Sequence, residues 1–162
     1  MVAARRAVEV APKYAEAHSA LGFALAVGKM DMRRARGPYE MSLKLGSGDA
    51  DILSRYAIFA SRFGRFAEAD NAITKSLALD PLNARTFRVN GAINYGAGRY
   101  EKAVEELEKG LKLSPTLGAV RAVIGHALLM QGDIEAAKKS FEAEKNTLFG
   151  LPGIAIIAHR QG

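Results

Sequence analysis

The feature that most constrains this chain is an internal repeat with a period of 34 residues. Identical residues recur at this interval in several separate registers, namely Gly64, Gly98 and Gly132; Ala69, Ala103 and Ala137; Leu79 and Leu113; Pro81 and Pro115; Gly91 and Gly125. Because so many registers agree on one period, the repetition is not accidental. Self-similarity at a fixed period of this length is typical of stacked supersecondary units, which bury their apolar faces against one another.

Each unit is predicted to be a pair of helices joined by a tight turn. In the third unit, Asn83 is placed to cap the first helix, since its short side chain can accept a hydrogen bond from a free backbone N–H. Residues 96–99, Gly-Ala-Gly-Arg, end that helix with a glycine available for a left-handed turn. The second helix is predicted to begin near Tyr100 and to end before Ser114-Pro115, because proline cannot continue the hydrogen-bond ladder.

The period and its fixed positions resemble the tetratricopeptide repeat. Positions 4, 8, 20, 24 and 32 of the family pattern are taken, in the unit that starts at Ala84, by Phe87, Gly91, Ala103, Leu107 and Pro115. Position 7, where the family has Leu, is Asn90. The resemblance covers essentially the whole chain and implies an all-α fold: a right-handed superhelical array of antiparallel helix hairpins, or α-solenoid.

The repeat pattern predicts the division of the chain. Its segments are 1–14, the second helix of a truncated repeat; 15–49, 50–83, 84–117 and 118–147, four repeats; and 148–162, the first helix of a truncated fifth. In the first repeat Ala35 comes one residue late, which indicates an insertion near the turn at residues 28–31, and Gly37-Pro38 falls inside the second helix. We expect a kinked or late-starting helix there in preference to a functional hinge. Because the pattern starts and stops in mid-repeat, we expect a segment of a larger bacterial protein.

No pattern of catalytic or metal-binding residues is found. The chain has no cysteine, and its three histidines, His18, His126 and His159, lie in different units without an i, i+4 pair. Glycine-rich phosphate-binding motifs are absent from the sequence. The acidic cluster Glu101, Glu105, Glu106 and Glu108 is interpreted as a solvated helix face among lysines. The sequence therefore predicts a protein that is not an enzyme and that has no cofactor.

The family resemblance implies that the first helices of the hairpins line a concave groove. The groove positions on this chain are Phe23, Arg55, Ile58, Arg62, Arg85, Arg88, Tyr95, His126 and Met130. Four arginines with apolar side chains between them favour a protein or peptide that carries carboxylates, because guanidinium binds carboxylate through two parallel hydrogen bonds. The alternative is a solvated face, on which some arginines pair with Asp51 or Glu16.

One known mode of peptide capture is argued against. The dicarboxylate clamp that binds chaperone C-termini uses Lys and Asn where this chain has Ser19 and Phe23, and Asn where it has Arg55.

The net charge of +6 and the pI of about 9.7 permit nucleic acid as a partner. However, the basic residues are scattered among the repeats and aromatic residues make up only 7%, which argues against direct nucleic-acid binding.

The remaining expectations concern location and biological role. The N-terminus has no apolar core of a secretory signal, and the most apolar stretch, 148–158, is about half the length of a membrane-spanning helix, so a cytoplasmic protein is expected. Self-association through the uncapped ends is left open. The leading hypothesis is a protein-binding scaffold without intrinsic catalysis. The alternative is a regulatory or sensory segment of a bacterial signalling protein, a cyclase or a winged-helix regulator, whose activity lies outside these residues.

Overall fold

The computed structural model describes residues 1–145 and 147–161, and every regular element in these ranges is an α-helix. The helices are α1 (Val2–Val10), α2 (Ala15–Ala26), α3 (Met32–Leu45), α4 (Ala50–Ser61), α5 (Phe66–Leu79), α6 (Ala84–Gly96), α7 (Tyr100–Leu113), α8 (Val120–Gln131), α9 (Ile134–Glu142) and α10 (Gly150–Gln161). The all-α prediction is confirmed. Gly162, which the sequence assigns to the truncated last repeat, lies outside the described residues.

The helices fall into two compact units, one from Met1 to Pro81 and one that starts at Leu82. In the first unit α2 packs on α3 and α4 packs on α5, whereas in the second α6 packs on α7 and α8 on α9. Each pair is joined by a short turn, as expected of helical hairpins. The predicted division into repeats and the right-handed superhelix stay predictions.

Capping residues mark the beginning of four of the described helices, and turn glycines follow three of the helices. The side chains of Asp31, Asp49 and Asp133 accept hydrogen bonds from backbone N–H groups of α3, α4 and α9, each at 3.0 Å. Asn83 caps α6 as the sequence predicts, accepting from Arg85 at 3.1 Å and from Thr86 at 3.3 Å. The glycines that recur at the turns have φ angles of +70°, +74° and +86°, in the left-handed region that a residue with a Cβ rarely adopts.

Close contact between a glycine and a bulky side chain joins the two helices in three of the hairpins. A Cβ on Gly22 would lie 2.7 Å from the Tyr39 ring, and a Cβ on Gly91 would lie 2.7 Å from Leu107 Cδ2. A Cβ on Gly125 would likewise lie 2.7 Å from the Phe141 ring. Since real Cβ atoms do not approach other heavy atoms so closely, these hairpins require glycine at the contact.

The inserted residue of the first repeat lies in the turn between α2 and α3, where the sequence predicts it. Tyr39 is 17 positions after Gly22 in the sequence, whereas Leu107 is 16 positions after Gly91. Helix α3 begins at Met32 and continues through Pro38 to Leu45, so the expectation of a late start is wrong. The helix can begin there because Asp31 caps it, which fixes its first turn before Pro38 is reached.

Helix α8 begins two residues later than the repeat predicts, and a distant carboxylate caps it. Leu117 stands where Asp49 and Asn83 cap the earlier first helices, and Ala119 takes a φ of +65°. The backbone N–H of Ala122 donates to Glu144 Oε2 at 3.2 Å, and this carboxylate is buried. A negative charge at this helix end satisfies a free donor and interacts favourably with the helix dipole.

The interpretation of the acidic cluster on α7 as wholly solvated is wrong for one of its members. Glu106 is buried, accepting a hydrogen bond from Asn90 Nδ2 at 2.7 Å and one from Lys109 Nζ at 2.6 Å. Asn94 Nδ2 donates in turn to Asn90 Oδ1 at 3.1 Å. The cause is the polar residue at position 7 of this repeat, which needs a polar partner on the opposing helix because an unsatisfied buried amide is costly.

Replacement of Gly91 by Ala is expected to lower the free energy of unfolding by about 1–3 kcal/mol, because the new methyl group overlaps Leu107. Gly118→Ala is the matched control, since a Cβ there meets nothing within 4 Å. The control is expected to change stability by no more than about 0.5 kcal/mol in the same denaturant titration. Equal stability of the two variants would contradict the contact.

Replacement of Glu144 by Ala is expected to cost about 1 kcal/mol of unfolding free energy, because α8 loses its capping group. The exchange rate of the Ala122 amide hydrogen should rise in the same variant. Glu142→Ala removes an exposed carboxylate two residues away and is expected to leave both quantities unchanged. Unaltered exchange at Ala122 in Glu144→Ala would argue against a capping role.

Candidate functional site

The residues predicted to line a groove lie on first helices that contact each other within each unit. In the first unit, α2 carries Phe23 and α4 carries Arg55 and Ile58, with Arg62 directly after it. In the second unit, three of the residues are on α6 and two on α8: Arg85, Arg88 and Tyr95; His126 and Met130. Helices α2 and α4 are in contact, and so are α6 and α8.

A cavity of about 470 Å³ in the first unit brings four of these predicted residues together. Its walls are Ala20, Phe23, Tyr39, Arg55, Ile58 and Arg62. The volume lies in the range of pockets that hold small ligands or single side chains of a partner. Two helices on which these residues were predicted, α2 and α4, thus form most of the wall, and α3 adds one residue through Tyr39.

The apolar part of the cavity wall includes a large exposed side chain. Phe23 is 59% exposed, whereas Ile58 is only half-buried by its neighbours. An exposed phenylalanine beside a concave surface is more informative than a scattered surface leucine, because burial of its ring against a ligand is favourable by about 1.5–3 kcal/mol. This wall can therefore bind an apolar group.

The charged part of the wall consists of two arginines without a carboxylate partner. Among residues 1–145 and 147–161, neither Arg55 nor Arg62 lies within 4.0 Å of a carboxylate oxygen. Arg55 Nη1 lies 3.5 Å from the Oγ of Ser19, a long contact. The alternative in which these arginines pair with Asp51 or Glu16 is therefore not realised within the described residues. Both guanidinium groups retain donors for an anionic ligand.

Tyr39 is a wall residue that the sequence analysis missed. Its ring stacks on Phe59 with a centroid separation of 4.3 Å and packs over Gly22 on the other helix. Burial raises the pKa of the phenol above 10, and the nearby charges of Arg62 and Arg55, which act in the opposite direction, do not reverse this effect. The predicted groove positions all belong to the first helices of the hairpins, so they could not include a side chain from a second helix.

The predicted residues of the second unit differ in their surroundings. Arg85 and Met130 are exposed, whereas Arg88 and Tyr95 are half-buried, and the Tyr95 ring lies 5.7 Å from that of Tyr100. The ring of His126 meets Phe141 edge to face at 4.9 Å. Burial lowers the pKa of His126 below 6.5, so this side chain is neutral at physiological pH and adds no positive charge to the surface.

No cluster of three or more His, Asp or Glu side chains in residues 1–145 and 147–161 could hold a metal ion. Within the same residues, no helix combines the length and the apolar character that crossing a bilayer requires.

Comparison with known proteins finds similarity to helical-repeat proteins. The family model described as tetratricopeptide repeat matches residues 95–143, from the end of α6 to just beyond α9. The type IV pilus assembly protein PilF of Pseudomonas aeruginosa PAO1 is 25% identical over 140 residues, which cover 85% of this chain and 55% of that protein. The Hsp70-Hsp90 organizing protein of Triticum aestivum is 29% identical over 77 residues, 48% of this chain and 13% of that protein. The chain thus spans about half of one relative and a small part of the other.

Solved structures have the same fold. The structure of P. aeruginosa PilF superimposes with a TM-score of 0.74 at 24% identity, covering 91% of this chain and 68% of that one. The type IV pilus biogenesis factor PilW gives a TM-score of 0.75 at 17% identity, covering 96% of this chain and 72% of that one. At these identities the likeness shows the helical-repeat fold and nothing about partners.

The half-buried His126, whose pKa is lowered by desolvation, predicts a pH dependence of stability. Its pKa in the folded protein is lowered, so as the pH falls below about 6.5 the unfolded chain takes up the proton first and the free energy of unfolding decreases. Denaturant titrations at about pH 7.5 and pH 5.5 should therefore show a larger loss of stability for the wild type than for His126→Gln. Equal losses in the two proteins would contradict the burial of a neutral imidazole.

Proposed function

Because the chain is built of tetratricopeptide repeats, we propose that it is a protein-binding module, which holds a peptide or protein partner in the groove along the first helices of its hairpins. It performs no catalysis of its own in this proposal. The observation that carries it is the cavity of the first unit, where four residues selected by repeat position alone line one space of about 470 Å³.

The charge of this cavity favours a partner segment with carboxylates. Arg55 and Arg62 line it and have no carboxylate within ion-pair distance in the described part of the chain. Each guanidinium presents donors in a planar fork that matches a carboxylate, and such charge-assisted bonds are stronger than neutral ones. An acidic residue of the partner therefore contributes more binding free energy at these arginines than at an arginine that already pairs with a carboxylate.

The names of the relatives agree with this role. Type IV pilus assembly protein PilF and the Hsp70-Hsp90 organizing protein are named for assembling or organizing other proteins. This chain covers 55% and 13% of these two proteins, so their complete activities are not transferred to it. What the proposal takes from them is only the general task of holding another protein.

Random peptides selected by phage display against the full chain test the proposal. Selected peptides are expected to be enriched in Asp and Glu next to apolar residues and to bind at least about tenfold more weakly to the double variant Arg55→Glu, Arg62→Glu. The control Lys138→Glu, Lys139→Glu reverses the same number of charges on exposed residues of α9 and should retain the affinity. Fluorescence anisotropy measures both. Equal affinity for wild type and the arginine variant would contradict the proposed surface.

A further inference from the structure

We propose that Tyr39, Arg55 and Arg62 form a carboxylate-binding subsite in the cavity of the first unit. Its occupant is a segment of a partner protein in which an apolar side chain adjoins a carboxylate. This inference rests on the proposed function and adds to it a hydrogen-bond donor from α3, which repeat position did not select.

The hydroxyl of Tyr39 is the unusual feature. Tyr39 is only 5% exposed, yet its side chain makes no hydrogen bond with any other residue in 1–145 and 147–161. It is also not among the side-chain oxygens that are sealed from solvent without a partner, Ser42 Oγ and Thr86 Oγ1. Because a buried tyrosine usually satisfies its hydroxyl, one that lines a cavity and has no protein partner is available to a ligand.

The ring that carries this hydroxyl is held in place before any ligand binds. Phe59 stacks on the ring at 4.3 Å, and Gly22 on the opposing helix leaves no room for the ring to shift towards it. A donor that is fixed in advance loses little conformational entropy when it binds, whereas an exposed side chain must first be ordered.

The three polar groups of the cavity wall all favour an anion. Arg55 and Arg62 are positive, and no residue of the wall is acidic. The two guanidinium groups lie close enough to Tyr39 to influence the ionisation of its phenol. Because burial keeps the phenol protonated at neutral pH, its hydroxyl donates a hydrogen bond and adds no negative charge that would repel a carboxylate.

The rest of the wall requires an apolar group beside the anion. Phe23, Ile58 and Ala20 contribute carbon surface, and a cavity of about 470 Å³ is much larger than a carboxylate, since one water occupies about 30 Å³ in the liquid. A planar carboxylate at the arginines with an apolar side chain against Phe23 fills both parts at once. An isolated inorganic anion would leave the apolar part wet.

Two small probes of similar shape test the subsite in the chain of 162 residues. The first, 3-phenylpropionate, has a ring and a carboxylate, whereas 3-phenylpropionamide replaces the carboxylate by an uncharged amide. In NMR titrations the carboxylate is expected to shift the amide signals of Phe23 and Ile58 with a Kd on the order of 1 mM, and the amide to bind about tenfold more weakly.

Tyr39→Phe isolates the contribution of the hydroxyl, because it keeps the stacked ring. It should weaken binding of 3-phenylpropionate about tenfold and binding of the amide by a smaller factor, because a hydrogen bond to a neutral carbonyl oxygen is weaker than one to a carboxylate. Tyr14→Phe removes the hydroxyl of an exposed tyrosine outside the cavity and should change neither affinity. Arg55→Gln should weaken binding of 3-phenylpropionate in the same way as Tyr39→Phe, and it changes a residue whose side chain is exposed.

Four outcomes would overturn the subsite: no binding of 3-phenylpropionate at any accessible concentration, equal binding of the two probes, an unchanged affinity in Tyr39→Phe, or tighter binding of phenyl phosphate than of 3-phenylpropionate. The last outcome would assign the cavity to a phosphorylated group. None of them decides the proposed function, which the peptides selected against the whole chain test independently. Conversely, selected peptides that bind the Arg55→Glu, Arg62→Glu variant as tightly as the wild type would contradict the proposed function, even if the small probes bind.

Discussion

The rest of the structure depends on how closely the two helices of a hairpin can approach. In three hairpins a glycine of the first helix lies against the bulky residue of the second, and any side chain at that glycine would overlap it. In the fourth hairpin the corresponding positions are occupied by Ala57 and Ile73, both almost fully buried. Because this contact fixes the separation of the helices, it also fixes which side chains reach the outer surface. The Tyr39 ring takes part in the contact with Gly22 and also lines the cavity.

Some arginines of the first unit form ion pairs within the protein, whereas others line the cavity. Arg36 and Arg65 pair with Glu40 at 2.8 and 3.5 Å, and Arg65 also donates to Glu68 at 2.7 Å. Hydrogen bonding to Arg65 lowers the pKa of Glu68, so this carboxylate remains ionised. These two carboxylates pair with Arg36 and Arg65, whereas the charged residues of the cavity wall are both arginines, Arg55 and Arg62. Separation of this kind leaves a localised positive potential for an incoming acidic group.

The sequence alone predicts what depends on local spacing. Helix positions and the cap at Asn83 follow from the period and from turn chemistry, whereas the four groove residues that line one cavity were selected through the family resemblance. It fails where one residue departs from the period. The insertion places Gly22 one residue out of register with Gly91 and Gly125, Asn90 draws Glu106 into the core, and Glu144 caps a helix 22 residues earlier in the chain. Such contacts require knowledge of which helices are neighbours, which repetition alone does not give.

The cavity draws its wall from three helices, α2, α3 and α4, which belong to two successive hairpins. Any molecule held there therefore clamps these hairpins to each other, and by mass action its binding energy is added to the work needed to pull them apart. A full site would make opening of the first unit rarer and an empty one would make it more frequent. Resistance to proteolysis between α3 and α4 would then report occupancy without requiring the identity of the ligand.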